Sequence, residues 1–171
     1  MVFGRAGEEI EALVQAGIAH EVVPGITSAQ ALAARLGVSL THRDAARSLR
    51  FVTGHGRDGA LPADLDWRGL ADPSTTLVVY MGTRTAAQIA CRLIEGGLSS
   101  QTAACAVAAI GRPEQSVWHG PLDNLEQGVG TLPQDQPILF AIGDAAAGAA
   151  TRRETSVDGE THSTEAFEAV A

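Results

Sequence analysis

His42, Arg43, Arg47 and Arg50 fall close together in the stretch GVSLTHRDAARSLRFVTGH, which runs from Gly37 to His55. A guanidinium pairs with a carboxylate or phosphate through two parallel hydrogen bonds, so this stretch has the residue types for docking an anion. The alternative is a set of ordinary solvated arginines. The surroundings sharpen the question, because the chain carries a net charge of −8. A nucleic-acid partner usually needs a basic face, and the overall charge argues against one. The sequence contains no lysine, so a lysine Schiff base or lysine general acid has no candidate in it.

Other chemistries fare less well. Gly54, Gly56 and Gly59 spell G-x-G-x-x-G directly after a strand-like run, yet Pro62 follows where a dinucleotide loop would open a helix. The stretch reads as a flexible turn. The five histidines are scattered, with no i,i+4 pair and no C-x-x-C, so no metal site is expected. No G-x-S-x-G marks a nucleophile elbow. Asp64 and Asp66 flank a polar turn beside Trp67 and read as solvated. Cys91 and Cys105 lie inside apolar patterns and read as two buried free thiols, which fits a cytoplasmic protein. No apolar run reaches the roughly 18–20 residues of a membrane span, and no signal peptide is visible.

The elements that must position these residues follow from periodicity. Ile10, Leu13, Val14 and Ile18 have helical spacing, which places an amphipathic helix over 7–17. HEVVPG reads as a short strand stopped by Pro24-Gly25. Thr27 or Ser28 caps a second helix, SAQALAARL, and Gly37 ends it. SLRFVTG is a strand, and Asp64 to Leu70 holds one helical turn. TTLVVYMG is a nearly continuous apolar run, as in a strand buried on both faces. TAAQIACRLIEGG is a helix with Ile89, Leu93 and Ile94 inward. TAACAVAAI, SVWHG and PILFAIG are further strands, with a short helix from Leu122 through Leu125. The fold class is α/β, with a mostly parallel or mixed sheet and helices packed on it. Aromatics make up only 4% of the chain, so small aliphatic residues must fill the core. Residues 1–36 are too few elements to close a core and read as the end of a preceding domain. Residues 37–147 read as a second domain and 148–171 as a disordered tail. Three strand ends, VVPGITSA, VVYMG and AIGRP, run into small or turn-forming residues. In open α/β sheets ligands lie beyond such carboxyl ends.

The pieces VFGRAGEEIEALVQAGI, VVPGITSA, GVSLTHRD, SLRFVTGH, LDWRGLA, TLVVYMG, LIEGGL, RPEQ and PILFAIG stand in one order over roughly residues 2–143. In that order the sequence resembles the uroporphyrinogen-III C-methyltransferases of the tetrapyrrole methylase family. The resemblance implies two α/β domains, here a C-terminal mixed-sheet domain and the remnant of an N-terminal one, with S-adenosylmethionine in the cleft between them. It implies methylation of uroporphyrinogen III at C2 and C7, giving precorrin-2, by a homodimer without nucleic-acid or membrane partners. The family's glycine-rich G-x-G-P-G-D loop, Y-D strand end, G-K-R segment and G-G-D motif would precede Val2, and its acid-base Asp and Lys belong to that part.

Residue roles come with the resemblance. The motifs place Val2, Thr27, Ser28, Met81, Ile110 and Gly111 against the cofactor. Ile110 stands where relatives carry a smaller residue, so its contact is expected from the backbone. The substrate is a polycarboxylate, so arginines must meet it, and the motif-matched candidates are Arg5 and Arg43. Glu8, one turn after Arg5, either orients that guanidinium or accepts a pyrrole N–H. Arg47 and Arg50 belong to no motif and read as solvated. Two further readings stay open: a non-catalytic dimerising remnant of such an enzyme, and a sister methylase acting on another tetrapyrrole.

Overall fold

Five strands make one sheet in the order β1-β2-β5-β3-β4. They are β1 (Ser48–Thr53), β2 (Thr75–Tyr80), β3 (Ala103–Ala108), β4 (Ser116–Pro121) and β5 (Ile138–Ile142). The computed structural model describes residues 1–56 and 58–146, so the expected tail at 148–171 lies outside the described residues. Only β1 and β2 pair in parallel; β2–β5, β5–β3 and β3–β4 are antiparallel. The sheet is therefore mixed, and the mostly parallel arrangement does not hold. The reason is topological: β5 returns between β2 and β3 in the opposite direction, and β3–β4 is a hairpin.

Side chains alternate across this sheet as the pleat requires. One row runs Val52, Val79, Phe140, Ala106 and Trp118. It packs against α4 (Ala86–Glu95) and α5 (Leu125–Gly130) through Ile89, Leu93, Leu125 and Val129. The next row runs Phe51, Val78, Ala141, Cys105 and His119 and belongs to the opposite face. There Ala29 and Leu32 of α2 (Ser28–Leu36) pack on Val78, Cys105, Val107 and Leu139. Of the two thiols expected to be buried, the structure buries Cys105 and leaves Cys91 exposed on α4. The short α3 (Trp67–Leu70) is capped by Asp66, whose carboxylate accepts the Gly69 N–H at 2.9 Å. That explains the Asp-Leu-Asp-Trp turn without any carboxylate chemistry. The turn from Leu122 is longer than expected, continuing through a 3-10 turn into α5.

The N-terminal part is packed differently. α1 (Ala6–Gln15) buries no residue. HEVVPG forms no strand: Val22 and Val23 are 53% and 78% exposed, and no described strand offers them a ladder partner. A β-prone run without such a partner stays extended coil. α2 obeys its sequence closely. Thr27 accepts the Gln30 N–H while Gln30 caps the Thr27 N–H, and Gly37 closes the helix at φ 64°. Among the described residues no helix is long and apolar enough to cross a membrane, and no cluster of metal-ligating side chains occurs.

Candidate cofactor cleft

β2 and β3 run in the same direction with β5 between them, so their carboxyl ends meet at one edge of the sheet. At that edge lies a cleft of about 340 Å³ lined by Ser28, Tyr80, Met81, Ile110, Arg112 and Leu139, among others. Met81 and Ala109 follow the two strands directly, and both hold left-handed backbone conformations, φ 57° and 52°. Residues with a Cβ seldom adopt that region, and each costs about 1–2 kcal/mol. Both strained residues line the same cleft. The turn at Ala109 is closed within the protein, its N–H donating to the Pro137 carbonyl at 3.1 Å and its carbonyl accepting the Arg112 N–H at 3.0 Å.

A second cavity, of about 400 Å³, shares Ser28 and Tyr80 with the first and is lined by Val2, Thr27 and the 22–26 segment. Tyr80 joins the two. Its hydroxyl accepts the Ala29 N–H at 3.1 Å, and its ring stacks against Phe3 at 5.1 Å and Phe51 at 5.9 Å. This contact sets the first turn of α2 beside the end of β2. Thr27 spends its side-chain oxygen on the helix cap, while Ser28 lines the cleft with a hydroxyl beside those of Tyr80 and Thr83.

Five of the expected cofactor contacts, Val2, Thr27, Ser28, Met81 and Ile110, therefore line these two adjoining cavities. Gly111 lines neither. It sits beside Ile110 at φ 78° with its N–H given to Gln115 Oε1 at 2.9 Å. Arg5, Glu8 and Arg43 also lie outside both cavities and are exposed. Arg5 and Glu8 pair with each other, Nε to Oε2 at 2.9 Å. Arg43 rides the tip of a tight turn closed by the His42 N–H to Ala46 carbonyl bond of 2.7 Å. Arg50 is not merely solvated, because it donates to the Gly69 carbonyl at 2.7 Å and braces α3.

The chain matches the family model of the Tetrapyrrole (Corrin/Porphyrin) Methylases over residues 1–126. The chain belongs to the tetrapyrrole methylase family. It is 45% identical over 147 residues to a uroporphyrinogen-III C-methyltransferase of Paracoccus denitrificans, covering 85% of this chain and 50% of that protein. A siroheme synthase of Chromobacterium violaceum is likewise 45% identical, over 83% of this chain and 30% of its own length. The chain thus spans half or less of these relatives. A crystal structure of uroporphyrin-III C-methyltransferase from Thermus thermophilus, complexed with S-adenyl homocysteine, superposes with a TM-score of 0.71 at 34% identity. That match covers 86% of this chain and 63% of that one.

Much of the cleft lining of this methylase was not singled out as ligand-binding from the sequence, Tyr80, Ala109 and Arg112 included, although each of these three lies within a quoted motif. Tyr80 was legible in part, since it precedes Met81 in the Y-M-G run. Ala109 declares itself only through its backbone angle, which no residue type signals. Arg112 holds Gln136 Oε1 at 3.5 Å across the cleft mouth.

Proposed function

We propose that this chain carries much of an S-adenosylmethionine site and belongs to a uroporphyrinogen-III C-methyltransferase that methylates C2 and C7 to give precorrin-2, for sirohaem or cobalamin. The reading rests on one observation: Ser28, Met81 and Ile110, far apart in sequence, line one cleft at the carboxyl edge of the sheet. Ser28 lies before the expected domain boundary at 36/37, whereas Met81 and Ile110 lie after it. A homodimeric, cytoplasmic enzyme is part of the same proposal, supported by the family resemblance alone.

The residues present fit the cofactor. Ile110, Pro137, Ile138 and Leu139 offer apolar surface for a flat adenosine. When bound, S-adenosylmethionine supplies an electrophilic methyl group on a sulfonium. The chain's part is to bind, orient and exclude water. Tyr80 fixes the first turn of α2, and with it Ser28, against β2. Arg5, Glu8 and Arg43, exposed and outside the cleft, are assigned to the side where the acidic substrate approaches.

Calorimetric titration with S-adenosylhomocysteine tests the cofactor reading. The full chain is expected to bind it with a 1:1 heat, and Met81→Asp is expected to weaken binding at least about tenfold, because a carboxylate replaces an apolar wall. Asp tolerates the left-handed backbone better than most residues, so the variant keeps its fold. Unchanged affinity in Met81→Asp removes the cleft from the reading, and absence of any binding overturns the cofactor site in this chain.

A further inference from the structure

Arg112 and Gln136 face each other across the mouth of the cleft, Nη1 to Oε1 at 3.5 Å. We propose that this pair reads the amino edge of the adenine ring. Gln136 Oε1 accepts from the 6-amino group, and the Arg112 guanidinium donates to the ring nitrogen beside it. The proposal rests on the cofactor reading above and adds the residues that make the cleft selective for adenine over other bases.

Placement is the first reason. Arg112 lies next but one to Ile110, and Gln136 directly precedes Pro137. Ile110 and Pro137 to Leu139 are the apolar wall on which a flat ring can lie, so the pair stands at the lip of that wall. The backbone under both side chains is fixed. The Ala109 N–H donates to the Pro137 carbonyl at 3.1 Å and ties the two segments together. The Arg112 N–H donates to the Ala109 carbonyl at 3.0 Å, and the Gly111 N–H donates to Gln115 Oε1 at 2.9 Å. Selective hydrogen bonding needs donors and acceptors held in place before the ligand arrives, and these bonds supply that.

Polarity is the second. Gln136 turns Oε1 to the Arg112 guanidinium and Nε2 to Asp135 Oδ2, at 3.4 Å. A cation on one side and a carboxylate on the other set the amide the same way round. The mouth therefore shows an acceptor beside a set of donors. Adenine shows the complement, an amino donor beside a ring-nitrogen acceptor. Hypoxanthine carries an oxygen in place of the amino group and sets acceptor against acceptor at Oε1.

The third reason is that both groups have capacity to spare. Their contact is long for a hydrogen bond, Oε1 keeps a second lone pair, and the guanidinium keeps further N–H donors. Among the described residues Arg112 has no carboxylate partner, and it is the one charged side chain in the cleft lining. The competing use for such an arginine is the carboxylate of the cofactor's amino-acid end, which the test separates.

Calorimetry on the full chain compares S-adenosylhomocysteine, S-inosylhomocysteine, its counterpart with oxygen for the amino group, and 5′-methylthioadenosine, which lacks the carboxylate. A site built around an N–H donor rejects the analogue that lacks it. The unaltered chain is expected to prefer S-adenosylhomocysteine over S-inosylhomocysteine by at least about thirtyfold. Gln136→Ala and Arg112→Ala are each expected to shrink that preference to within about threefold, and to weaken 5′-methylthioadenosine as much as S-adenosylhomocysteine. A residue that only shapes the cleft would weaken both bases alike and leave the ratio standing, so a ratio unchanged in both variants overturns the proposal. Equal binding of the two homocysteine ligands by the unaltered chain also overturns it, while the cofactor reading stands. A loss in Arg112→Ala that spares 5′-methylthioadenosine assigns the guanidinium to the carboxylate and overturns the pair. A chain that binds none of the three overturns the pair and the cofactor reading together.

Discussion

The two faces of the sheet are covered to very different degrees. One lies under α4 and α5 and buries Leu77, Val79, Phe140, Ile142, Ile89, Leu93, Leu122 and Leu125 in a single cluster. The other lies under the nine residues of α2 and buries a smaller set, Ala29, Leu32, Val78, Cys105, Val107, Leu139, Ala141 and Ala146, with Leu36 of the helix partly buried against them. The first face is a conventional core. The second is thin, and the cleft opens where α2 begins, at Ser28. Stability and ligand binding are therefore divided between the faces: the thick one holds the sheet, and the thin one places the residues that meet a ligand.

The sharpest way to break that division is to excavate both faces and compare. Phe140→Ala removes a fully buried ring from the thick face and is expected to cost about 3–5 kcal/mol. In the fraction that stays folded, S-adenosylhomocysteine affinity should hold within two- to threefold. Leu32→Ala on the thin face should cost less, about 2–3 kcal/mol, because one helix can settle where two packed helices cannot. Its affinity should fall about tenfold as Ser28 shifts with α2. Urea unfolding and calorimetry on both variants decide the point. Equal losses of affinity, or a larger stability loss in Leu32→Ala, would show that the faces are not specialised.

How much of this was legible in the sequence follows the same line. The thick face could be read because period and residue type agree there: TTLVVY, CRLIEGG and PILFAIG can hardly be anything but core elements. The capping box at Thr27 and the stop at Gly37 were equally plain. HEVVPG was misread as a strand because β-propensity describes a half-buried pleated surface, and among the described residues no neighbouring strand supplies one. A mixed sheet was offered by the resemblance, but the strand order was not legible, since it depends on where β5 inserts and no local pattern records it. The cleft was visible in part, as the two true strand ends VVYMG and AIGRP. Its strained residue Ala109 was invisible, because a left-handed alanine looks like any other alanine in sequence.

Cys105 probes the thin face chemically. Burial pushes its thiol up from the ordinary 9.0 to about 12, with a backbone hydrogen bond from Ala141 opposing part of that rise. In the folded protein the thiol keeps its proton through mild alkali, while in the unfolded chain it ionises near 9. Its contribution to stability is complete below pH 9 and is lost progressively as the pH rises from 9 towards 12. At pH 10 the loss is on the order of 1 kcal/mol. In a Cys91→Ala background, urea midpoints at pH 8 and pH 10 should differ by that much more with Cys105 than with Cys105→Ala. Identical slopes would mean that α2 admits solvent to the thiol, and that the thin face is open rather than merely thin.

The smallest effect comes from the joint between the faces and the cleft. Tyr80 ends β2 and reaches the first turn of α2 through one hydrogen bond, its hydroxyl accepting the Ala29 N–H. Tyr80→Phe removes the acceptor and keeps the ring, so stacking on Phe3 and Phe51 survives. The Ala29 N–H is among the first in its helix and has no intrahelical partner to fall back on. A single net hydrogen bond contributes about 1 kcal/mol, which is the expected drop in unfolding free energy. Binding is the more telling readout. If Tyr80 positions Ser28, S-adenosylhomocysteine affinity falls three- to fivefold although the mutated atom itself is turned toward α2. If stability drops and affinity does not, Tyr80 only staples α2 to the sheet, and the thin face places Ser28 through Ala29 and Leu32 packing alone.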